Sequence, residues 1–132
     1  MSRAIPFIVA ALLAGAALPA AAQGQGAAPG EGRQCFSPTN VSAVQPVGDR
    51  QVNVRVGVRD VYRIDLADAC NGLRSPQRVI TVRPIASGVS VCSAADFVLA
   101  TDVDGFREEC AVQSITKLTP DQVAALPNRE RP

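Results

Sequence analysis

The sequence predicts a mainly β domain: a small antiparallel sheet, barrel-like or two-layered, with one short C-terminal helix and two disulfide bonds. Three observations predict this fold class. Residues 52–66 alternate apolar and polar side chains, which is the period of a half-buried strand. Short segments rich in β-branched residues recur downstream, separated by Gly, Ser and Asp. Four cysteines are spread through a chain that contains no histidine.

The N-terminal residues 1–22 have the layout of a secretory signal peptide. A basic start at Arg3 precedes an apolar run at 5–18 and three alanines at 20–22. This order of basic, apolar and small-residue regions is typical of segments that are cleaved during export, here before Gln23. We therefore expect a periplasmic or secreted protein.

A retained membrane anchor is the alternative interpretation of the same segment. Residues 4–22 are apolar throughout, and a spanning helix needs about 20 such residues. Pro6, Gly15 and Pro19 disfavour a continuous helix, so cleavage is preferred. No membrane span is expected in the mature protein.

The mature chain is expected to form one domain at 34–127. A Gly-rich leader at 23–33 has no bulky apolar residue and is predicted to be disordered, and residues 128–132 are predicted to fray. The net charge of the chain is +1, and Arg3 leaves with the signal peptide. No overall field therefore favours nucleic acid or an anionic membrane as a partner.

The alternation at 52–66 predicts a hairpin with a loop of odd length. Its apolar residues occupy even positions on both sides of the loop, so apolar faces apolar only when paired residue numbers sum to an even value. We predict a three-residue loop at 58–60, which pairs Val54 with Ile64. The commoner two-residue turn would set valines against Arg63 and is rejected.

The same register predicts a cluster of arginines on the outer face. Arg55 would lie directly opposite Arg63, a destabilising placement of like charges, and Arg59 would lie in the loop. Either another segment brings carboxylates over this face, or solvent screens it, or an anionic partner binds there. Because guanidinium groups suit bidentate recognition of carboxylate or phosphate, Arg55, Arg59 and Arg63 are the candidate partner-binding residues.

Further strands are predicted on both sides of this hairpin. Residues 40–47 include Pro46, which cannot donate to a ladder and indicates a sheet edge. Downstream candidates lie at 78–85, 89–92, 96–100 and 106–115. A four-residue loop at 102–105 would join the last two, although it sets Leu99 opposite Glu108.

The segment TPDQVAALP at 119–127 predicts a helix of about two turns. Thr119 and Gln122 have the spacing of a capping box, and Pro120 occupies the first helical position. Pro127 ends the helix. Its apolar side chains are expected to face the sheet.

Cys35, Cys70, Cys92 and Cys110 predict two disulfides, since an even number of cysteines in an exported chain indicates bridges. Their wide spacing and the absence of histidine argue against a metal site, and no cofactor is expected. Of the three possible pairings, we favour Cys92 with Cys110 and Cys35 with Cys70, because Cys92 and Cys110 would lie at one end of co-directional strands in a meander. The other pairings stay open.

Several of these residues together resemble a known family. They are Cys35-Phe36, VRVG at 54–57, VYRIDL followed by Cys70, the lone Cys92, Cys110 and KLTPDQVAAL at 117–126. The combination resembles a family of small secreted bacterial proteins catalogued only as a domain of unknown function. The resemblance covers about residues 33–126 and implies an exported, cysteine-containing domain with no assigned activity.

Motifs for known catalytic chemistry are weak. Ser114 and Lys117 have the spacing of a serine nucleophile and its base, but residues three apart on a strand lie on opposite faces. Asp102 and Asp104 resemble part of a calcium loop, yet Ala111 occupies its last ligand position, so a hairpin turn is preferred. Without histidine or a free thiol, the ordinary nucleophilic triads are excluded.

We therefore expect a non-enzymatic exported module that binds or supports a component of the cell envelope, with an envelope or extracellular partner. Two alternatives stay open. One is an inhibitor or accessory subunit of a secreted enzyme, whose loop at 57–60 would enter the cleft of that enzyme. The other is an enzyme of an unrecognised type.

Overall fold

The computed structural model describes residues 35–88 and 90–132. Its strands are β1 Val41–Pro46, β2 Gln51–Val56, β3 Asp60–Leu66, β4 Val79–Pro84, β5 Phe97–Val103 and β6 Phe106–Lys117, and its helix is α1 Pro120–Ala125. The strands form one antiparallel sheet in the order β1-β2-β3-β6-β5-β4, curled into a nearly closed barrel. The predicted fold class is confirmed. The predicted signal peptide and leader lie outside the described residues.

The strands β1 and β4 are the two edges of the sheet, and no ladder joins them within the described part of the chain. Residues of both edges line a shared opening, so the barrel has a seam. Pro46 lies on β1 and Pro84 on β4, which agrees with the rule that proline is confined to edges. The predicted edge position of the first strand is confirmed.

The β2–β3 hairpin has the predicted parity but a different register. Val54 pairs with Tyr62 and Val56 pairs with Asp60, so the loop consists of residues 57–59 instead of 58–60. Gly57 adopts a φ of 61°, a left-handed conformation that costs glycine little. A shift of two residues keeps every apolar side chain on the inner face, because the side-chain period of a strand is two.

This register corrects the predicted juxtaposition of two arginines. Arg55 lies opposite Val61, and Arg63 lies opposite Asn53, so the two guanidinium groups do not face each other across the ladder. The prediction that Arg55 opposes Arg63 is wrong, because it depended on a loop that began at Val58.

The β5–β6 hairpin also forms with a register shifted by two. Val103 pairs with Phe106 across a two-residue loop, in which Asp104 and Gly105 have φ values of 52° and 84°. Asp-Gly is a preferred pair for a turn that needs positive φ at both positions. Leu99 consequently lies opposite Cys110 instead of Glu108, and this pairing removes the conflict that the four-residue loop created.

The core fills the barrel with side chains from the inner faces of its strands. Val54, Ile64 and Leu99 are completely buried there. Phe36 packs against Tyr62 with ring centroids 4.9 Å apart, which closes one side of the interior. Burial of these aliphatic and aromatic groups stabilises the barrel by about 1.5 to 3 kcal/mol for each large side chain.

The disulfides join Cys35 to Cys92 and Cys70 to Cys110, so the favoured pairing of Cys92 with Cys110 and Cys35 with Cys70 is wrong. A meander was assumed, whereas β6 lies between β3 and β5.

That strand order explains both observed bridges. The amide of Ala67 donates to the carbonyl of Ala111 at 3.0 Å, which brings the chain after β3 beside Cys110. The other bridge follows from a backbone pair between Phe36 and Val91, since these residues are the neighbours of Cys35 and Cys92. The strand predicted at 89–92 is reduced to that single bridge at Val91.

The C-terminal segment covers the outer face of β2 and β3. Thr119 and Gln122 form the predicted capping box at the start of α1, with bonds of 2.8 Å and 3.2 Å. Leu126 packs in a second apolar cluster with Val61 and Leu118. Residues 128–132, where fraying was expected, instead make hydrogen bonds to β2, as described below.

Candidate anion-binding cleft

A cavity of about 620 Å³ lies between the β2–β3 loop and the start of α1. Three cationic side chains line it: Arg55, Arg59 and Lys117. Its apolar wall includes Leu118 and Val123. The cleft therefore combines a basic rim with an apolar side, which suits an anionic group attached to an apolar body.

Arg59 is the cation that the cleft presents to solvent. It is exposed in the loop after Gly57, and within the described part of the chain it makes no hydrogen bond or ion pair. Its neighbour Val58 is 83% exposed, so the tip of the loop projects from the barrel. A guanidinium without an internal acceptor retains all its donors for an incoming anion.

Lys117 has a partly compensated charge. Its Nζ lies 3.0 Å from Asp60 Oδ2 and 5.8 Å from the centre of the Tyr62 ring. Burial raises the pKa of the Tyr62 phenol. The positive charge of Lys117 opposes this effect, and the negative charge of Asp60 reinforces it. Lys117 thus holds Asp60 at the edge of the cleft while it adds positive charge beside Arg59.

Arg55 already has an oxygen acceptor. Its Nε and Nη2 both donate to the main-chain oxygen of Pro132, at 2.9 Å and 2.5 Å. On the same strand, the completely buried Asn53 donates from Nδ2 to the carbonyl oxygen of Glu130 at 2.8 Å. The segment that covers the arginine face is therefore part of the chain itself, and it supplies main-chain oxygens as acceptors.

Arg63 lies outside the cleft. Its Nε is 3.5 Å from Asn53 Oδ1, a long contact on the half-buried outer face of β3. The three arginines singled out from the sequence are thus divided among three roles. Arg59 is available to a partner, Arg55 lines the cleft but also binds the C-terminal segment, and Arg63 packs against Asn53.

Sequence reasoning missed Lys117 and the apolar wall. Lys117 reaches the cleft because β6 pairs with β3, which sets Lys117 opposite Tyr62. That pairing joins residues far apart in the chain, so no local sequence pattern predicts it. The KLTP segment did predict the start of α1, and a helix packed on the hairpin would have placed Leu118 near the loop.

The weak catalytic motifs have structural roles. Ser114 donates to Asp65 Oδ2 at 2.8 Å across the β3–β6 ladder, away from Lys117. Asp102 accepts from the amide of Gly105 at 3.1 Å, so it stabilises the hairpin turn.

One group of side chains among residues 35–88 and 90–132 has the geometry of a metal site. Cys70, Glu108 and Cys110 offer ligand atoms within 4.8 Å of one another. Both sulfurs belong to one disulfide, however, so neither is available as the thiolate that a metal ion would need. The group is therefore a carboxylate beside a bridge.

Comparison with known proteins identifies the family and no activity. The model of DUF6491, a family of unknown function, matches residues 1–131. The chain belongs to this family. The resemblance inferred from the cysteines and the KLTP segment to a domain of unknown function is confirmed. No curated protein and no solved structure matches the chain.

Because DUF6491 is a family of unknown function, the role of the cleft must be inferred from the geometry of the cleft. In the described part of the chain no helix has both the length and the apolar character needed to cross a membrane. The two disulfides are features of proteins that mature under oxidising conditions.

Proposed function

We propose that this DUF6491 protein is a non-enzymatic module, exported to the periplasm or secreted, which binds an anionic component of the cell envelope in the cleft beside the β2–β3 loop. The observation that carries the proposal is Arg59. It lies exposed at the rim of the cleft without an internal acceptor, next to Arg55 and Lys117. The signal-peptide pattern at 1–22 and the two disulfides support export.

The cleft supplies two kinds of interaction. The planar guanidinium of Arg59 can donate two parallel N–H bonds to a carboxylate or phosphate, the strongest class of polar contact available there. The side chains of Leu118 and Val123 offer apolar contact to the part of the ligand that follows the anionic group. Among the described residues that line the cleft, Asp60 alone has a carboxylate, and its pairing with Lys117 favours binding over acid–base chemistry.

Capture from native periplasm tests this proposal. The wild-type protein and the variants Arg59→Ser and Arg129→Ser are immobilised, and the retained envelope components are compared. Arg129 is the matched control, because its side chain is 85% exposed and lies outside the cleft. Wild type and Arg129→Ser should retain the same component, and Arg59→Ser should lose it.

Salt provides the second criterion of the same experiment. The Debye length falls from about 8 Å at 0.15 M to about 3 Å at 1 M ionic strength, so an exposed guanidinium–anion contact should weaken strongly over that range. Retention by Arg59→Ser equal to wild type, or retention insensitive to salt, would contradict the proposal.

A second function, inhibition or support of a secreted enzyme, is favoured by the loop itself. Val58 is 83% exposed at its tip, and an apolar residue in a projecting loop is a suitable anchor for the cleft of another protein. The two functions differ in the residue on which they depend. Val58 also lines the cleft, but it carries no charge. Val58→Ser should therefore abolish binding to an enzyme, while the salt dependence of the capture through Arg59 should be retained.

A further inference from the structure

A second cavity, of about 300 Å³, lies at the other end of the barrel. It is formed between the β5–β6 hairpin and the 3₁₀ turn Asn71–Arg74. Phe106 begins β6 and Lys117 ends it, so the two sites are roughly 36 Å apart along the strand at about 3.3 Å per residue. This cavity therefore shares no residue with the anion-binding cleft and must be explained separately.

Phe106 forms an exposed aromatic wall of this cavity. It is 83% exposed, although a phenylalanine side chain gains about 1.5 to 3 kcal/mol when it is buried. It lies on the same face of β6 as Glu108 and Cys110, because alternate residues of a strand share a face. The ring is thus placed at the mouth of the barrel, above the inner face, with one side open to solvent.

Glu108 is an oriented acceptor beside that ring. Its Oε2 accepts from the amide of Gly72 at 2.9 Å, and its Oε1 lies 3.5 Å from Asn71 Nδ2. The 3₁₀ turn is pressed closely onto the floor of the cavity, since a Cβ on Gly72 would lie 2.1 Å from Thr101 Oγ1. The carboxylate of Glu108 is therefore held in place at the rim, and the exposed amide side chain of Asn71 lies beside it.

The charges of the cavity cancel. Arg107 lines it as well, with a side chain 62% exposed and a loose contact of 4.0 Å to Asp102. An anionic ligand would meet Glu108, and a cationic ligand would meet Arg107. An entirely apolar ligand would exclude water from the remaining hydrogen-bonding groups of Asn71 and Glu108 without replacing its hydrogen bonds.

We infer that this cavity binds a neutral saccharide. The C–H face of a sugar ring packs on Phe106, and its hydroxyl groups, each a donor and an acceptor, bond to the carboxylate of Glu108 and the amide of Asn71. The volume limits the occupant to a small number of rings. This inference is independent of the anion-binding function, since the two sites lie at opposite ends of the barrel.

An NMR titration of the disulfide-bonded protein tests the inference. Two neutral disaccharides, N,N′-diacetylchitobiose and cellobiose, are added to millimolar concentration, and the amide shifts of Asn71, Thr101 and Phe106 are followed. At least one of them should produce saturable shifts at these positions. Phe106→Ala should weaken that binding about tenfold, because the aromatic platform is lost.

Control variants separate this site from its alternatives. Val58→Ser removes an equally exposed apolar side chain outside this cavity and should leave saccharide binding unchanged. Glu108→Gln should weaken binding while Phe106 stays in place. Absence of saturable shifts with both disaccharides would overturn the inference, as would undiminished affinity in Phe106→Ala. Sedimentation showing that Phe106 mediates association of two copies, lost in Phe106→Ala, would overturn it as well.

Discussion

The outer faces of the two halves of the sheet differ in what lies over them. On β2 and β3, Asn53 is completely buried and Val61 is 1% exposed, because α1 and the residues after it pack on this face. On β4, Val79 is 62% exposed and Arg83 is exposed, since no described segment covers that strand. The difference shows that burial of an outer-face residue depends on the C-terminal segment, and the proposed partner site lies where this cover ends, at Arg59.

The largest expected effect distinguishes the covered face from the open one. Leu126→Ala removes a buried side chain from the cluster with Val61 and should lower the free energy of unfolding by about 2 to 4 kcal/mol. Val79→Ala, on the open face, should change it by less than about 0.5 kcal/mol. Urea unfolding measures both values, and equal losses would mean that the C-terminal segment does not cover the sheet.

A smaller loss of stability is expected at the 3₁₀ turn over the barrel mouth. Gly72→Ala places a methyl group 2.1 Å from Thr101 Oγ1, and overpacking of this kind costs about 1 to 3 kcal/mol. Asn71→Ala, an exposed neighbour in the same turn, is the matched control and should stay within about 0.5 kcal/mol. A neutral Gly72→Ala variant in urea unfolding would show that the turn does not press on the floor of the cavity.

Replacement of Arg55 should lower the free energy of unfolding, whereas replacement of Arg59 should not. Arg55→Ser removes two hydrogen bonds to Pro132 and should cost about 1 kcal/mol, a value reduced by the partial exposure of this side chain. It should also speed amide hydrogen exchange in residues 128–131, the part of this segment that has backbone N–H groups. Unchanged exchange there would refute the role assigned to Arg55 in holding the C-terminal segment.

The smallest effect is expected in the decline of the free energy of unfolding at acidic pH. The amides of Cys92 and Ser93 donate to Asp96 at 2.9 Å and 2.8 Å and lower the pKa of this carboxyl below its ordinary value of 3.8. The stabilisation is therefore present above about pH 4 and is lost as the pH falls through the lowered pKa. Asp96→Asn should flatten the decline of stability below about pH 4, as measured by urea unfolding across pH.

Asp68→Asn is the control for that measurement. Asp68 is exposed and makes no hydrogen bond or ion pair within the described residues. Its replacement should therefore leave the decline of stability at acidic pH unchanged. If the stability of the Asp96→Asn protein declined at acidic pH as that of wild type does, the two amides would not stabilise the carboxylate.

The sequence predicted which face of β2 and β3 packs inside the barrel, because that information repeats every second residue. It did not predict the register of either hairpin, since a shift of two residues preserves the same faces. For the β5–β6 hairpin the sequence did contain a signal for the correct turn, since Asp104-Gly105 is a preferred pair for a two-residue turn. For the first, the left-handed conformation of Gly57 decides the loop, and glycine permits it without requiring it.

The disulfide pairing and the complete set of residues that line the cleft could not be predicted from the sequence, because both depend on the strand order. Insertion of β6 between β3 and β5 brings Cys110 to Cys70 and Lys117 to Asp60, and neither proximity is visible in local spacing. Arg59 could be identified from the sequence because loop residues are exposed whatever the register. The role of Arg55 could not, because its acceptor lies at Pro132, distant in the chain.

Binding and stability should be measured on the same Arg59→Ser protein. We predict a urea-unfolding free energy within about 0.5 kcal/mol of wild type, together with loss of the salt-sensitive envelope component captured from periplasm. Capture equal to that of wild type by a folded Arg59→Ser protein would contradict the central claim that the cleft binds its partner through this exposed guanidinium.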